Sequence, residues 1–258
     1  MRHANVRDLL ASASRIAVLT GAGISAESGI PTFRGAGGLW RSFKAEDLAT
    51  PGAFARDPKL VWEWYDWRRG QIASAQPNAA HRALVELEVG QVANLRRVAN
   101  PPAEDSTSPD QQRFTLITQN VDGLHNRAGS RNLLKLHGDI WIQRCTACGA
   151  ERNETHTPLP EIPPRCSCGG LERPGVVWFG ENLPEEILAR AQYAATQAEV
   201  FLVIGTSALV YPAAGLAGMA KSAGAKVVEI NVAETPVTNW VDYSLRGAAA
   251  EILPQILP

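Results

Sequence analysis

Short apolar runs separated by longer stretches constrain the fold of this chain more than any other feature of its sequence. Five runs have the length and composition of buried strands, and they cover residues 15–20, 114–119, 133–136, 200–204 and 226–231. The stretches between them are long enough to hold helices. Parallel strands need long crossover connections, so this alternation favours a parallel sheet with helices on both faces. We therefore expect a doubly wound α/β fold.

Composition agrees with a globular protein and excludes several classes of function. Of the 258 residues, 45% are apolar and 20% are charged, which supports a sizeable core. Because 25 Lys and Arg residues face 26 Asp and Glu residues, the net charge is −1, and nothing global favours nucleic acid or an anionic membrane as a partner. The first apolar run is too short for a signal peptide. We expect a cytoplasmic monomer.

The longest uncharged stretch contains 21 residues and lies between Glu199 and Lys221, so its length alone is compatible with a membrane helix. Gly205 and Pro212 interrupt this stretch. The interruptions predict a strand, a turn and a helix instead. We therefore expect no membrane-spanning segment here.

Three regions depart from the alternation of strands and helices. Residues 40–90 look helical throughout, with Asp57 as a helix N-cap and Pro58 at the first helical position. Residues 97–112 are polar and rich in proline, which predicts an exposed loop. Residues 139–175 contain all four cysteines.

A glycine-rich turn follows the first predicted strand. Residues 21–26, Gly-Ala-Gly-Ile-Ser-Ala, match the G-x-G-x-x-G/A pattern, in which glycines let the backbone approach a pyrophosphate. A tight turn that only packs a helix on a strand is the alternative. Ordinary dehydrogenases carry a ribose-binding acid about 20 residues further on, at the end of a second strand. Here residues 28–38 form a glycine-rich loop instead, which suits closure over a ligand.

The cysteines have the spacing of a metal site. Cys145 and Cys148 form a C-x2-C pair, and Cys166 and Cys168 form a tighter C-x-C pair after 17 intervening residues. Four thiolates on two turns suit one structural, tetrahedral zinc ion without an open coordination position, and free thiols are the alternative. Four Arg, no Lys and six acidic residues give residues 139–181 a net charge of −2, which disfavours a nucleic-acid-binding ribbon. The clustering indicates a reducing compartment.

Polar side chains follow two further predicted strands. Asn120 and Asp122 follow the second run, and His137 follows the third. Because the carboxyl ends of parallel strands meet at one edge of a sheet, we expect Asn120 and His137 to converge with Gly21 and Gly205 on one crevice. Taken singly, each has an ordinary explanation as a turn former or a structural histidine.

Together these motifs resemble those of the sirtuins, the NAD-dependent protein lysine deacylases, and they occur in the family's order over nearly the whole chain. The matching segments are residues 21–34, 119–125, 136–138, 173–181, 205–207 and 229–231, together with the two cysteine pairs. The C-x-C pair and the insertion at 97–112 depart from the commonest family pattern.

The resemblance implies a Rossmann-like NAD-binding domain made of residues 1–39, 113–138 and 176–258. A smaller domain then consists of a helical insertion at 40–96 and a zinc ribbon at 139–175. NAD and an acylated lysine of a protein would enter the cleft between the two domains from opposite sides.

The resemblance also assigns chemistry to the polar residues. In the family the acyl group of a protein lysine is transferred to the ribose of NAD, which releases nicotinamide and O-acyl-ADP-ribose. Asn120 would lie at the ribose and Asp122 at the nicotinamide carboxamide, while His137 would be the general base toward a ribose hydroxyl. His137 and Asn120 are therefore the expected catalytic residues.

The binding residues follow from the same resemblance. Contacts with NAD are expected from Gly21, Ala22, Gly23, Ser25, Ala26, Glu27, Thr32, Phe33, Arg34, Trp40, Gln119, Asn120, Val121, Asp122, Gly205, Thr206, Ser207, Asn231, Val232, Ala233 and Ala249. Segments that pair with the substrate backbone as an added strand are expected to include Val177, Trp178, Phe179, Gly180, Glu181 and Val210.

The acyl group is indicated by two residues on a predicted helix. Tyr65 and Arg68 lie three residues apart and therefore on one face. An arginine binds a carboxylate bidentately and a tyrosine hydroxyl adds a donor, so the pair resembles the branch of the family that removes succinyl and malonyl groups. In the alternative, Arg68 and Arg69 face solvent while aromatic neighbours pack inward.

Four other functions stay open at this point. The chain would act mainly on acetyl-lysine if the two residues do not bind the acyl group. A protein ADP-ribosyltransferase would use the same NAD pocket without consuming an acyl-lysine. A sensor would bind NAD without catalysis, and a dehydrogenase would reduce it.

Overall fold

The computed structural model describes residues 2–34, 38–39, 44–98 and 113–257, with the backbone alone for residues 92–98. Its α-helices are α1 Arg2–Ser12, α2 Ala45–Leu48, α3 Pro51–Arg56, α4 Pro58–Ser74, α5 Ala79–Val98, α6 Leu124–Ala128, α7 Glu185–Gln197, α8 Gly215–Ser222 and α9 Ala249–Ile256, and a 3-10 helix covers Ala22–Ser28. Its strands are β1 Ile16–Thr20, β2 Phe114–Thr118, β3 Leu133–Lys135, β4 Gly138–Cys145, β5 Glu151–Asn153, β6 Glu172–Val176, β7 Val200–Ile204, β8 Lys226–Asn231 and β9 Tyr243–Arg246.

Six strands form one parallel sheet in the order β3-β2-β1-β7-β8-β9. β1 lies between β2 and β7, with Thr20 opposite Thr118 on one side and Ile204 on the other. All five predicted strands are present, which confirms the predicted parallel α/β fold. Sequence patterning misses β9, because Leu245 is the one buried residue in that short strand and no apolar run marks it.

Strand side chains alternate between two apolar cores, one on each face of the sheet. Ile16 and Val18 pack in the core shared with α1, α5 and α9. Ala17 and Leu19 pack on the opposite face, in the core shared with α7 and α8. Burial on both faces explains why the strands have continuous apolar runs, and it makes the sheet doubly wound.

The long uncharged stretch of the sequence forms β7, a turn and α8, as predicted. In the part of the chain that the structure describes, no helix combines the length and the apolar character needed to cross a membrane.

A separate apolar core joins α2, α3 and α4 to a second, antiparallel sheet with the strand order β5-β4-β6. Trp62 of α4 is fully buried there, and its indole N–H donates to the Glu172 carbonyl at 2.7 Å. Residues 40–90 are not one continuous helical region, since Thr50 caps α3 and Asp57 caps α4. The prediction of Asp57 as N-cap before Pro58 is confirmed.

α5 packs on the main sheet and not on the smaller core. The helical insertion predicted at 40–96 therefore wrongly includes α5 in the smaller domain. Helical periodicity shows that a helix has an apolar face, but not which sheet that face covers. α5 also continues to Val98, two residues into the loop predicted at 97–112, since the first proline of that segment is Pro101. Residues 99–112 lie outside the described part of the chain.

The four cysteines converge at the end of the small sheet. Their sulfur atoms all lie within 4.8 Å of one another, with Cys145 and Cys168 3.5 Å apart and Cys148 and Cys166 3.8 Å apart. Tetrahedral zinc with Zn–S bonds of about 2.3 Å requires sulfur atoms about 3.8 Å apart, so this donor set fits one zinc ion. The N–H groups of Ala147 and Cys148 point at Cys145 Sγ from 3.4 Å, as expected around a thiolate ligand.

Replacing Cys145 with Ser is expected to remove the bound zinc and lower the melting temperature, because the ion crosslinks the two turns of the ribbon. A loss of a few kcal/mol corresponds to a shift of about 2–4 °C per kcal/mol in a chain of this size. Metal analysis and thermal melting measure both effects, with Ser167→Ala, between two ligands, as the matched control. A zinc-free Cys145→Ser protein with an unchanged melting temperature would contradict a structural role for the ion.

Candidate active site

The glycine turn after β1 contacts the turn after β7 so closely that neither accepts a side chain. The Gly23 N–H donates to the Gly205 carbonyl at 2.7 Å, and a Cβ at Gly23 would lie 2.7 Å from the Gly205 Cα. Gly205 has a φ of +59°, which favours glycine. The Gly21 N–H donates to the Ile204 carbonyl at 3.0 Å. The N–H groups of Gly21 and Gly23 thus both bond within the protein. The glycines in this pattern let the turn after β1 pack closely against the backbone after β7.

Hydrogen bonds connect the carboxyl ends of β2, β7 and β8. Gln119 Nε2 donates to Thr206 Oγ1 at 2.9 Å, and Asn231 Nδ2 donates to the Thr206 carbonyl at 2.8 Å. The Gly205 N–H donates to the Ile230 carbonyl at 3.0 Å. These bonds fix one rim of a crevice at the edge where open α/β sheets bind ligands.

A buried polar network lies on the other side of the glycine turn. The Ser25 hydroxyl donates to Asp122 Oδ2 at 2.8 Å, and Asn120 Nδ2 approaches Ser25 Oγ at 3.3 Å and the Gly21 carbonyl at 3.1 Å. Burial raises the pKa of Asp122, while hydrogen bonds from the Leu124 N–H and Ser25, and the charge of Arg68, oppose that rise. The predicted residues Ser25, Asn120 and Asp122 are thus in direct contact.

His137 follows β3 and is oriented by one hydrogen bond. Its Nδ1 lies 3.0 Å from the Gln119 carbonyl, an acceptor only, so Nδ1 carries the proton and Nε2 has a free lone pair. Within the described residues, Nε2 has no hydrogen-bond partner. Burial lowers the pKa of His137 below its ordinary value of 6.5, and the hydrogen bond to Gln119 acts in the opposite direction. The ring is therefore a neutral acceptor at pH 7.

Arg68 of α4 lies in the same cleft as the buried network. Its guanidinium carbon is 4.6 Å from the centre of the Phe33 ring and 4.9 Å from that of the Trp64 ring, and its residue is 6% exposed. No carboxylate lies within 4 Å of it in the described ranges. The cleft is lined by Ala22, Ser25, Ile30, Pro31, Phe33, Arg68, Asn120, Val121 and Asp122.

The alternative in which Arg68 and Arg69 face solvent is wrong, since both side chains are buried. Arg69 donates to the carbonyls of Glu154 and His156 and so ties α4 to the ribbon. Tyr65, one turn before Arg68, is also buried, and its hydroxyl lies 3.0 Å from the indole nitrogen of Trp178.

The 3-10 helix and the start of α9 meet beside the glycine turn. Ala26 and Glu27 are exposed there, and the Glu27 carboxylate accepts from the Ala250 N–H at 3.3 Å, next to Ala249. Partial burial of its carboxylate raises the pKa of Glu27, and the hydrogen bond from the Ala250 N–H acts against that rise. Ser207 is half-buried in the turn after β7, and Val232 and Ala233 are exposed in the turn after β8.

The loop after the 3-10 helix carries three predicted residues of the pocket. Phe33 contacts Arg68 as described, and the Thr32 hydroxyl donates to the Arg34 carbonyl at 2.9 Å. Arg34 itself is exposed. The predicted contact at Trp40 lies outside the described residues.

The segment predicted to pair with substrate begins beside the histidine. The Val177 N–H donates to the His137 carbonyl at 2.9 Å. Phe179 and Gly180 are exposed, and the Glu181 carboxylate pairs with Arg173. Val210 lies apart from this segment in sequence, half-buried in the turn that follows β7.

Sequence reasoning missed two groups of residues near the cleft. Ile30 and Pro31 line the cleft. Their position in the glycine-rich loop was the one sequence feature that could have indicated this. A second group lies beneath β1 and β2: Thr20 Oγ1 is 2.8 Å from Thr118 Oγ1 and 3.0 Å from His125 Nε2, and the His125 ring lies 4.8 Å from the His81 ring. Burial lowers the pKa of His81 to about 4 and that of His125 well below its usual value. No sequence pattern links these residues.

The described part of the chain also contains a larger cavity away from the polar network. A cavity of about 390 Å³ lies between α7 and the main sheet, bordered by Arg15, Thr115 and Tyr193. None of the residues of the polar network lines this cavity. The candidate active site is therefore the smaller cleft at the carboxyl edge, which Ser25, Asn120 and Asp122 line.

Comparison with known proteins agrees with this geometry. The Sir2 family model matches residues 21–99 and 106–212. An NAD-dependent protein deacylase of Aquifex aeolicus is 54% identical over 242 residues, which cover 93% of this chain and 93% of the relative. NAD-dependent protein deacylase 2 of Pyrobaculum aerophilum is 52% identical over 254 residues, which cover 98% of this chain and 94% of the relative.

A solved complex of a Sir2 homologue with NAD has a similar fold. Its TM-score is 0.83 at 45% sequence identity, and the match covers 98% of this chain and 92% of the other. The family model, the relatives and the solved structure all match this chain over most of its length. The chain therefore belongs to the Sir2 family, the sirtuins.

Proposed function

We propose that this protein is an NAD-dependent protein lysine deacylase that releases nicotinamide and O-acyl-ADP-ribose. The observation that carries the proposal is the cleft at the carboxyl edge, where Ser25, Asn120 and Asp122 form one buried network beside His137. The names of the Aquifex aeolicus and Pyrobaculum aerophilum relatives support the same reaction, and so does the solved complex of a Sir2 homologue with NAD.

NAD supplies a ribose carbon that becomes electrophilic as nicotinamide leaves. The protein would hold the adenosine side along the rim of Thr206, Asn231 and Glu27, and the nicotinamide side at the buried network. Asp122 accepts from Ser25 and from a backbone N–H, so its position is fixed before a carboxamide binds. Burial keeps water from the reacting carbon, which would otherwise be hydrolysed.

His137 would accept a proton from a ribose hydroxyl. Its Nδ1–H bond to the Gln119 carbonyl leaves Nε2 as the acceptor, and its lowered pKa keeps that atom unprotonated at neutral pH. Val177, bonded to the His137 carbonyl, would start the segment that pairs with the substrate backbone. The acyl-lysine thus approaches next to the base.

The acyl group that best fits the cleft ends in a carboxylate, as in succinyl-lysine and malonyl-lysine. Arg68 is buried and has no ion-pair partner in the part of the chain that is described. A buried cation is costly unless it is paired, so a ligand carboxylate would compensate the charge that Phe33 and Trp64 only partly offset. Tyr65 adds a hydroxyl on the same face of α4.

Incubation with NAD and matched acetyl-, succinyl- and malonyl-lysine peptides tests the reaction. We expect one nicotinamide released for each acyl group lost, and the highest kcat/KM with the acidic acyl groups. Transfer of ADP-ribose to the peptide, seen by mass spectrometry, would identify an ADP-ribosyltransferase instead. Near-ultraviolet absorption of reduced cofactor without free nicotinamide would identify a dehydrogenase.

Replacing His137 with Ala is expected to leave NAD binding intact and to lower turnover by at least about 100-fold, since general base catalysis supplies 100- to 10,000-fold. Binding is measured by calorimetry and turnover by nicotinamide release. His156→Ala, at an exposed histidine of the ribbon, is the matched control. Full activity of His137→Ala would refute the assignment.

The rate should fall as pH is lowered through the pKa of His137, because only the neutral ring accepts a proton. Since burial lowers this pKa below 6.5, we expect the acid-side inflection of kcat/KM to lie below pH 6.5. An acid-side inflection above pH 6.5 would argue against His137 as the base.

A melting curve at each pH separates this effect from unfolding. His81 and His125 have lowered pKa values in the folded chain, so the unfolded state binds more protons below pH 6.5. The stability that these two neutral histidines contribute is therefore fully present above pH 6.5. It is lost as pH falls toward the folded pKa of His81, about 4.

Replacing Arg68 with Met is expected to lower kcat/KM for succinyl-lysine peptide by roughly 10- to 100-fold, as for a lost hydrogen bond to a charged group. Deacetylation should fall far less, because an acetyl group offers no carboxylate. Steady-state kinetics on both peptides measure the ratio, and Arg56→Met, at an exposed arginine, is the control. Equal losses on the two substrates would count against this role.

A further inference from the structure

We propose that Trp178 is a positioning residue for acyl selectivity: its indole N–H occupies the oxygen of Tyr65 and so turns the hydroxyl proton toward the carboxylate of the substrate acyl chain. The inference rests on the proposed preference for succinyl- and malonyl-lysine. It concerns the Trp178 side chain, whereas the resemblance to sirtuins assigned only the backbone of that segment to substrate.

The direction of the hydrogen bond follows from the chemistry of the two groups. Trp178 Nε1 and Tyr65 Oη are 3.0 Å apart, and both residues are buried. An indole N–H only donates, so the tyrosine oxygen is the acceptor. The hydroxyl proton of Tyr65 must then point elsewhere, and among the described residues it has no protein acceptor.

Tyr65 keeps that proton under all physiological conditions. Burial raises the pKa of Tyr65 to about 12, with the charge of Arg68 and the hydrogen bond from Trp178 acting against the rise. The hydroxyl is therefore a donor at neutral pH. Arg68, three residues later on the same face, is a cation without an ion-pair partner in the described part of the chain. Two donors and no acceptor suit a carboxylate better than a neutral acyl group.

The indole itself is held from several directions. The guanidinium carbon of Arg173 lies 3.5 Å from the centre of the Trp178 ring, and the Phe54 ring centre lies 5.4 Å away. The Glu181 carboxylate accepts from Arg173 at 2.5 and 2.9 Å and from the Trp178 N–H at 2.8 Å. The orientation of Nε1 is thus set by groups on α3, on β6 and after β6.

The test compares succinyl- and acetyl-lysine peptides of one sequence in Trp178→Phe. We expect the ratio of their kcat/KM values to fall about threefold to tenfold, the worth of one hydrogen bond of this kind. Any general damage to the peptide-binding segment lowers both rates and cancels in the ratio. Trp62→Phe, which removes another buried indole N–H from the small core, should leave the ratio unchanged.

A second background shows whether the indole acts through the hydroxyl. Tyr65→Phe should lower the same ratio, and adding Trp178→Phe to it should change the ratio no further. A further fall in the double variant would mean that Trp178 acts by another route, which would overturn the inference. If Trp178→Phe does not fold, benzothienylalanine at position 178, which has sulfur in place of the N–H, gives the same comparison.

The outcomes separate this inference from the proposed function. If Tyr65→Phe and Arg68→Met lower the ratio while Trp178→Phe does not, the inference is wrong and the proposed preference stands. If neither Tyr65→Phe nor Arg68→Met changes the ratio, the preference itself fails and the inference fails with it.

Discussion

The site depends on the contact between the glycine turn after β1 and the turn after β7. The hydrogen bond from the Gly23 N–H to the Gly205 carbonyl holds the two turns together. A side chain at Gly23 or Gly205 would overlap the opposing backbone. The 3-10 helix that carries Ser25 starts from this contact, and Asn120 bonds to the Gly21 carbonyl from the neighbouring strand. The buried polar network therefore depends on the absence of two side chains.

Two adjacent arginines on α4 show how one helix serves both fold and site. Arg69 donates to backbone carbonyls of the ribbon and so joins the helix to the small sheet. Within the described residues, the Arg68 guanidinium lies over two aromatic rings and has no ion-pair partner within 4 Å, and burial lowers its pKa. A protein gains no stability from leaving a cation in this state. The arrangement is understandable if the missing partner is a negatively charged ligand.

The sequence predicted the main sheet well because its signals were local. Continuous apolar runs located five strands, and the Asp57-Pro58 pair located the start of α4. The sequence did not show that α5 covers the main sheet, since that depends on which apolar stripes meet in three dimensions. β9 was missed because it is short and its single buried residue, Leu245, leaves no pattern.

For the site, the motifs indicated which residues would converge but not how they interact. Ser25, Asn120 and Asp122 were expected together, yet the hydrogen bonds among them, and the tautomer of His137, require coordinates. The bond from Trp178 to Tyr65 joins residues 113 positions apart, and no spacing in the sequence reports it. Composition likewise could not decide whether Arg68 was buried.

The most direct measurement is a structure of the protein with a nonreactive NAD analogue and a succinyl-lysine peptide. We expect His137 Nε2 to lie within hydrogen-bond distance of a hydroxyl of the nicotinamide ribose. We also expect the succinyl carboxylate to accept hydrogen bonds from both Arg68 and Tyr65. A carboxylate that points to solvent would contradict the proposed acyl preference, and a His137 ring turned away from the ribose would contradict its role as the base.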